Sequence, residues 1–428
     1  MSLSVKNTLG GGGKINITNG TTVAHEAREN IPKNTFVSLR SNDAKDTFLG
    51  STVPCGFCEI LPNKYLLLSD FNPSYAVVRI YDATETGLVM SKQVGYFFDY
   101  AICCRSFVDV RKISDGVAIA FMDSGDDYYT SAVIITVDEA NNIGYSNLTS
   151  ISASRNSGQE IGVCEIENGC YLVVPNTIYQ AFKVTVSGNK NTISVSSPFS
   201  LNMSGKISIF NVGNNNFMLV ENYSATMKYM FVSATKDSNI VLVKDATSIS
   251  STPFVDSYWR GSIYHNGKLI VTGAVSTRAM HRAVVYDVDL SSFTVSNEVL
   301  TDIGLTFNYN DSSICVYGNY LMAAVSSGES QYALVTMTLN DDKSITINDI
   351  SNDFINETYT IKNTYRVNTI NINDKCCIFY RIYTTGLDNY IYMLMKGKTG
   401  IIISNKDIYG ISFKNIPQGD IGEIVILN

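Results

Sequence analysis

The stretch Ser114-Asp115-Gly116-Val117-Ala118-Ile119-Ala120-Phe121-Met122 reads as a tight turn feeding a wholly apolar strand. Asp and Gly suit such a turn because a two-residue hairpin connection needs positive φ, which these residues tolerate. The pattern recurs along the chain. Turns at Pro62-Asn63-Lys64, Glu167-Asn168-Gly169, Asn214-Asn215-Asn216, His265-Asn266-Gly267, Tyr317-Gly318-Asn319 and Asn373-Asp374-Lys375 each precede another apolar strand. The apolar strands are read as starting at equivalent positions: Tyr65, Val117, Tyr171, Phe217, Leu269, Tyr320 and Cys377. These starts lie 46 to 57 residues apart, so one unit is about 50 residues long and internal repetition governs the fold.

Each unit continues in the same order. A polar loop follows the apolar strand, and then an alternating strand such as Tyr75-Ala-Val-Val-Arg-Ile-Tyr81 or Ala283-Val-Val-Tyr-Asp-Val288. A fourth, more polar strand ends the unit, as in Leu88-Val-Met-Ser-Lys-Gln-Val94. Four short antiparallel strands per unit describe a propeller blade. A β-helix has shorter coils, and no stretch holds a 3.6-residue apolar period for three turns, as a leucine-rich array would. The fold expected is therefore all-β, a seven-bladed β-propeller over residues 34–396, in which closure removes exposed strand edges.

The two ends fall outside the repeat. Residues 1–33 contain the four-glycine run Gly10 to Gly13, which no regular strand holds cheaply, and read either as a docking arm or as a disordered leader. Residues 397–428 contain strand patterns with glycine turns, at Gly397-Lys-Thr-Gly-Ile-Ile-Ile-Ser404, Gly410-Ile-Ser-Phe-Lys-Asn415 and Gly422-Glu-Ile-Val-Ile-Leu427. These are expected to pair with Asn34-Thr-Phe-Val-Ser-Leu39 in a small β-module formed by the N- and C-terminal segments.

Composition narrows the function classes. The chain of 428 residues is 45% hydrophobic and 17% charged, enough apolar content for a packed core. Its net charge is −7 with no basic block, which argues against a nucleic-acid partner. The longest apolar runs are strand-sized, so no membrane insertion is expected. The N-terminus shows no secretory pattern, and the nine cysteines, with adjacent pairs at Cys103-Cys104 and Cys376-Cys377, read as free buried thiols.

Few residues suggest chemistry. The three histidines, His25, His265 and His281, lack metal or triad spacing. Cys55-Gly-Phe-Cys58 has a C-x-x-C spacing without a second ligand pair, and reads as buried thiols. Asp123-Ser-Gly-Asp-Asp127 reads as a solvated acidic loop, with calcium as the lesser alternative. No metal and no cofactor are called for. A glycan-processing enzyme would need two opposed carboxylates. Asp99, Asp123, Asp256 and Glu221 are candidates, but the sequence singles out no pair and no catalytic residue.

The loops expected on one propeller face are rich in aromatic residues. Tyr128, Tyr129, Tyr223, Tyr258, Trp259 and Arg260 are the candidate ligand-binding residues there. Aromatic faces stack on sugar C–H groups while polar neighbours bond hydroxyls, so a glycan is the ligand expected. Packing between blades is the competing reading of the same rings.

The segments Ile31-Pro-Lys-Asn-Thr-Phe-Val-Ser-Leu39 and Gly410-Ile-Ser-Phe-Lys-Asn-Ile-Pro-Gln-Gly-Asp-Ile-Gly-Glu-Ile-Val-Ile-Leu427 resemble the ends of propeller-containing proteins encoded by clostridial phages and prophages. The loops Asp123 to Tyr129 and Ser326 to Tyr332 are similar to Ser- and Tyr-rich loops of that group. Ser412, Lys414 and Pro417 depart from its closing pattern. The resemblance implies a non-enzymatic structural protein of a virion or phage-tail-like particle, assembled in the bacterial cytoplasm. In that reading it is a tail fibre or receptor-binding protein for a bacterial surface glycan, present in several copies and bound to other virion or tail subunits through the N-terminal arm. A purely structural capsid-decoration or tail-bridging role is the first alternative, and a glycan-processing propeller enzyme is the second.

Overall fold

The computed structural model describes backbone strands throughout the chain and side chains over most of residues 56–350, together with Ile416. Within 56–350 the side chains described exclude the loops and strand ends at 69–76, 84–88, 95–108, 123–129, 153–160, 176–178, 189–190, 204–206, 222–226, 250–260, 274–280, 305–313, 317–319, 324–334 and 349. Every element found among the described residues is a strand or an isolated bridge.

Seven antiparallel sheets follow one another in the sequence. Their first strands are Val53–Leu61, Asp109–Ser114, Ile161–Glu167, Ile207–Gly213, Gly261–His265, Asn310–Tyr317 and Val367–Ile372. In each sheet the next strands pair in sequence order. The seventh differs, because its fourth strand is Lys45–Phe48 from near the N-terminus. The architecture is propeller-type.

The hairpin turns show why Asn and Gly recur. Asn214 and Asn215 have φ of 52° and 60°, and Asn266 and Gly267 have 50° and 72°, so both turn residues are left-handed as a primed hairpin requires. Asn63, Gly116 and Gly169 each carry one positive φ beside a register shift in the first strand, the signature of a bulged turn. The turn carbonyl then accepts a third-strand N–H in five sheets: Asn63 from Ala83, Gly116 from Val137, Gly169 from Val186, Asn215 from Ala234 and Gly267 from Val288, at 2.7 to 3.1 Å. The repeat read from sequence is thus also a repeat of one hydrogen bond.

Strand alternation distributes side chains between two interfaces. In the second strand of the second sheet, Ala118, Ala120 and Met122 pack against Ile60, Leu66 and Val78 of the first sheet. Ile119 and Phe121 point the other way, against Tyr171, Val173 and Phe182 of the third. The next apolar layers join the third sheet to the fourth, the fourth to the fifth and the fifth to the sixth. A strand buried on both faces must be apolar at every position, which explains the unbroken apolar runs. The fourth strands lie at the other extreme, with Val89, Met90, Val241, Leu242 and Leu300 exposed.

Two sequence expectations need correction. Hairpin register places Tyr65, Tyr171, Phe217 and Leu269 second in their strands, but Val117 and Tyr320 first and Cys377 third. The true counterparts are Ala118, Leu321 and Cys376. The first residue after a turn sits at the strand end, where Lys64, Asn216 and Lys268 serve as well as Val117, so the onset of apolarity does not mark register. The third strand of the third sheet, Gln180–Val186, is less regularly apolar than the alternating pattern expects, because Lys183 lies in its interior.

The terminal segments, Met1–Lys45 with Met395–Asn428, form a separate compact unit from Asp46–Leu394. Its five-stranded sheet runs in the order Thr22–Glu26, Ile421–Ile426, Gly410–Ser412, Thr35–Ser41, Thr399–Ile403. Thr35–Ser41 is sandwiched between C-terminal strands, pairing Phe36 with Ile411 and Leu39 with Ile401.

Candidate functional site

The first strands of the third and fourth sheets run close together, and the Arg111 side chain reaches the third from the first strand of the second. A Cβ built on Gly162 would lie 2.5 Å from the Ile207 carbonyl oxygen, so glycine permits this approach of the third sheet to the fourth. Beside this contact a cleft of about 410 Å³ is lined by Arg111, Val163, Cys164, Glu165, Ile166, Glu167, Ile209 and Asn211, a size that suits a small-molecule site. Glu167 directly precedes the hairpin turn of its sheet, so the cleft lies toward the hairpin ends of these strands.

Arg111 is its cation. The Asp109 carboxylate accepts from Nε at 2.7 Å and from Nη2 at 2.8 Å, and the Val163 carbonyl accepts from Nη2 at 3.3 Å. Asp109 and Arg111 stand two residues apart on one strand and therefore share a face. The carboxylate raises the guanidinium pKa, while Nη1 keeps its two N–H groups clear of the hydrogen bonds found among the described residues. Glu165 is exposed. Glu167 accepts the Lys236 backbone N–H at 2.7 Å. The Asn211 side-chain oxygen accepts the Gly213 N–H at 2.9 Å, which fixes the amide.

Two thiols flank the arginine on the neighbouring first strands. Burial pushes the Cys58 thiol up to about 12 and the Cys164 thiol to about 11. Both are free, as is Cys170, and neither has the depressed pKa of a thiolate nucleophile. Tyr171 pairs across the strands with Glu165 and meets Phe121 edge-on at 5.5 Å. Its hydroxyl is buried with no hydrogen-bond partner among the described residues, and burial raises its pKa. Among the described residues no three His, Cys, Asp or Glu side chains gather as a metal ion would require.

The sequence candidates fall elsewhere. Tyr128, Tyr223, Tyr258, Trp259 and Arg260 lie outside the described residues, and of Tyr129 only the backbone is described. The acidic loop 125–127 and residues 99 and 256 are also outside them. Glu221, read as a face carboxylate, is buried at 1% exposure because it ends the interior second strand of the fourth sheet. His281 is likewise buried. Sequence reasoning passed over Arg111, Glu165 and Asn211 because it searched loops, whereas these residues sit inside strands. The available signal was charge within a short first strand, as in Asp109-Val-Arg111 and Cys164-Glu-Ile-Glu167.

No protein-family model matches the chain, and no curated protein matches it. Solved structures do. A candidate 6-phosphogluconolactonase of Bacteroides uniformis aligns at 12% identity over 70% of this chain and 85% of its own, with a TM-score of 0.50. Its counterpart from Bacteroides fragilis gives 12%, 70%, 84% and 0.50. The periplasmic gluconolactonase of Pseudomonas aeruginosa gives 9% identity over 85% of this chain and all of its own, with a TM-score of 0.51. These names correct the expectation of a non-enzymatic phage tail-fibre or receptor-binding protein. That expectation rested on terminal motifs, which lie outside the repeated sheets, whereas the sheets themselves align with structures named as lactonases. At such identities the likeness establishes architecture: the chain has a propeller-type fold.

Proposed function

We propose that the chain is a hydrolase of sugar lactones that works in the cleft between the first strands of the second, third and fourth sheets. The observation that carries this reading is the meeting of a held guanidinium, Arg111, and an exposed carboxylate, Glu165, on one small cleft. The names of the propeller-type structures support it.

Lactone hydrolysis needs two things: a base to take a proton from water, and positive charge where the carbonyl oxygen becomes an alkoxide. Glu165 supplies the base. Water oxygen bonds the lactone carbonyl carbon as its proton passes to the Glu165 carboxylate. The carbonyl oxygen gains negative charge opposite Arg111 Nη1 and the Asn211 amide N–H. The tetrahedral adduct then breaks its bond to the ring oxygen, which receives the proton from Glu165, and a hydroxy acid leaves. Asp109 is a positioning residue, because its two hydrogen bonds fix the guanidinium plane.

The test is acid release from glucono-δ-lactone in a pH-stat, corrected for spontaneous opening. The reading predicts a saturable rate proportional to protein concentration. A folded chain that leaves the buffer rate unchanged over the whole substrate range contradicts it.

A further inference from the structure

The charges around the cleft distinguish between two kinds of lactone. Arg111 is tied on two nitrogens to Asp109, which offsets its charge at longer range and leaves Nη1 alone to donate at close range. Glu165 and Glu167 remain, both exposed on the cleft wall. Lys236 gives its backbone N–H to Glu167. The other nearby cations are spent elsewhere. Lys112 pairs with Asp115 at 2.7 Å, and Lys183 Nζ bonds the carbonyls of Thr235, Lys236 and Ser238. Among the described residues the two carboxylates Glu165 and Glu167 therefore leave the cleft wall with a surplus of negative charge.

We infer, resting on the hydrolase reading above, that this cleft takes uncharged sugar lactones and turns away phosphorylated ones. A phosphate dianion carries twice the charge of a carboxylate and meets repulsion from Glu165 that a hydroxymethyl group does not. The Arg111 nitrogens that could bind it bidentately are occupied by Asp109, so the fork geometry that favours Arg–phosphate recognition is already used. Hydroxyl groups, by contrast, find acceptors in Glu165 and Glu167 and a donor in Asn211.

The experiment compares kcat/KM for glucono-δ-lactone and 6-phosphoglucono-δ-lactone at low and high ionic strength, in the wild-type chain and in Glu167→Lys. The uncharged lactone is expected to be preferred by about tenfold or more at low salt, with the gap narrowing as salt screens the carboxylates. Glu167→Lys should shift the ratio toward the phosphorylated lactone by roughly three- to tenfold, the change expected of a reversed charge several ångströms from a dianion. Preference for the phosphorylated lactone in the wild-type chain overturns the inference while leaving the hydrolase reading intact. A ratio indifferent to both salt and Glu167→Lys overturns it too, and turnover of neither lactone removes both.

Discussion

The first strands of the second and third sheets carry Arg111 and Cys164 on a rung where those of the fourth and fifth carry Phe210 and Ile263. All four residues face the third residue of the following strand, as do Cys58 and Cys315. The backbone position is the same, but the chemistry is not. Phe210 packs against the layer between the fourth and fifth sheets, and Ile263 against that between the fifth and sixth. Cys58 and Cys164 also serve as apolar filling. Arg111 cannot, so it brings its own counter-ion and keeps a cleft beside it. A propeller repeat makes apolar filling the default at such a rung, and a charge there is a local departure of the kind expected at a functional site.

The backbone approach beneath the cleft is the easiest part of this comparison to break. Gly162→Ala would place a methyl group against the Ile207 carbonyl, whereas Gly188 has open space around it. Gly162→Ala should cost about 2–3 kcal/mol, the scale of overpacking in a filled interior, and Gly188→Ala should stay within about 0.5 kcal/mol. Urea unfolding measures both. Equal stability of the two variants would mean that the third and fourth sheets do not meet so closely.

Tyr171 sharpens the comparison from below. Its ring fills the layer between the second and third sheets, but its hydroxyl is buried without a partner among the described residues. Tyr171→Phe should therefore raise stability by about 1 kcal/mol, since an unsatisfied buried hydroxyl costs desolvation and returns nothing. A loss of similar size would show that the hydroxyl is bonded in solution.

The smallest effect is expected at the thiols. With pKa values of about 12 and 11, Cys58 and Cys164 at pH 8 are thiolate to about one part in ten thousand and one in a thousand, so alkylation in the native state should be slow. Peptide mapping after iodoacetamide treatment should find both labelled only after unfolding. Rapid native labelling of Cys164 would make it a reactive group rather than filling.

The repeat was legible in the sequence because hairpin turns need Asn, Asp or Gly and doubly buried strands need unbroken apolar runs. The 46–57-residue spacing follows from such local rules. Register was less legible, since Val117 and Lys64 fill the same strand-end position equally well. The cleft was not legible. Arg111, Glu165 and Asn211 come from three different sheets, and no spacing within one unit reveals that they line one cleft.

The most direct test of the account replaces Arg111 by Met and compares it with Phe210→Leu on the same rung, with glucono-δ-lactone as substrate and circular dichroism to establish that both remain folded. Loss of the guanidinium should lower kcat/KM by about 10²–10³, as removal of a charge-stabilising donor does, while Phe210→Leu should keep the wild-type rate. Full turnover by a folded Arg111→Met chain would contradict the account.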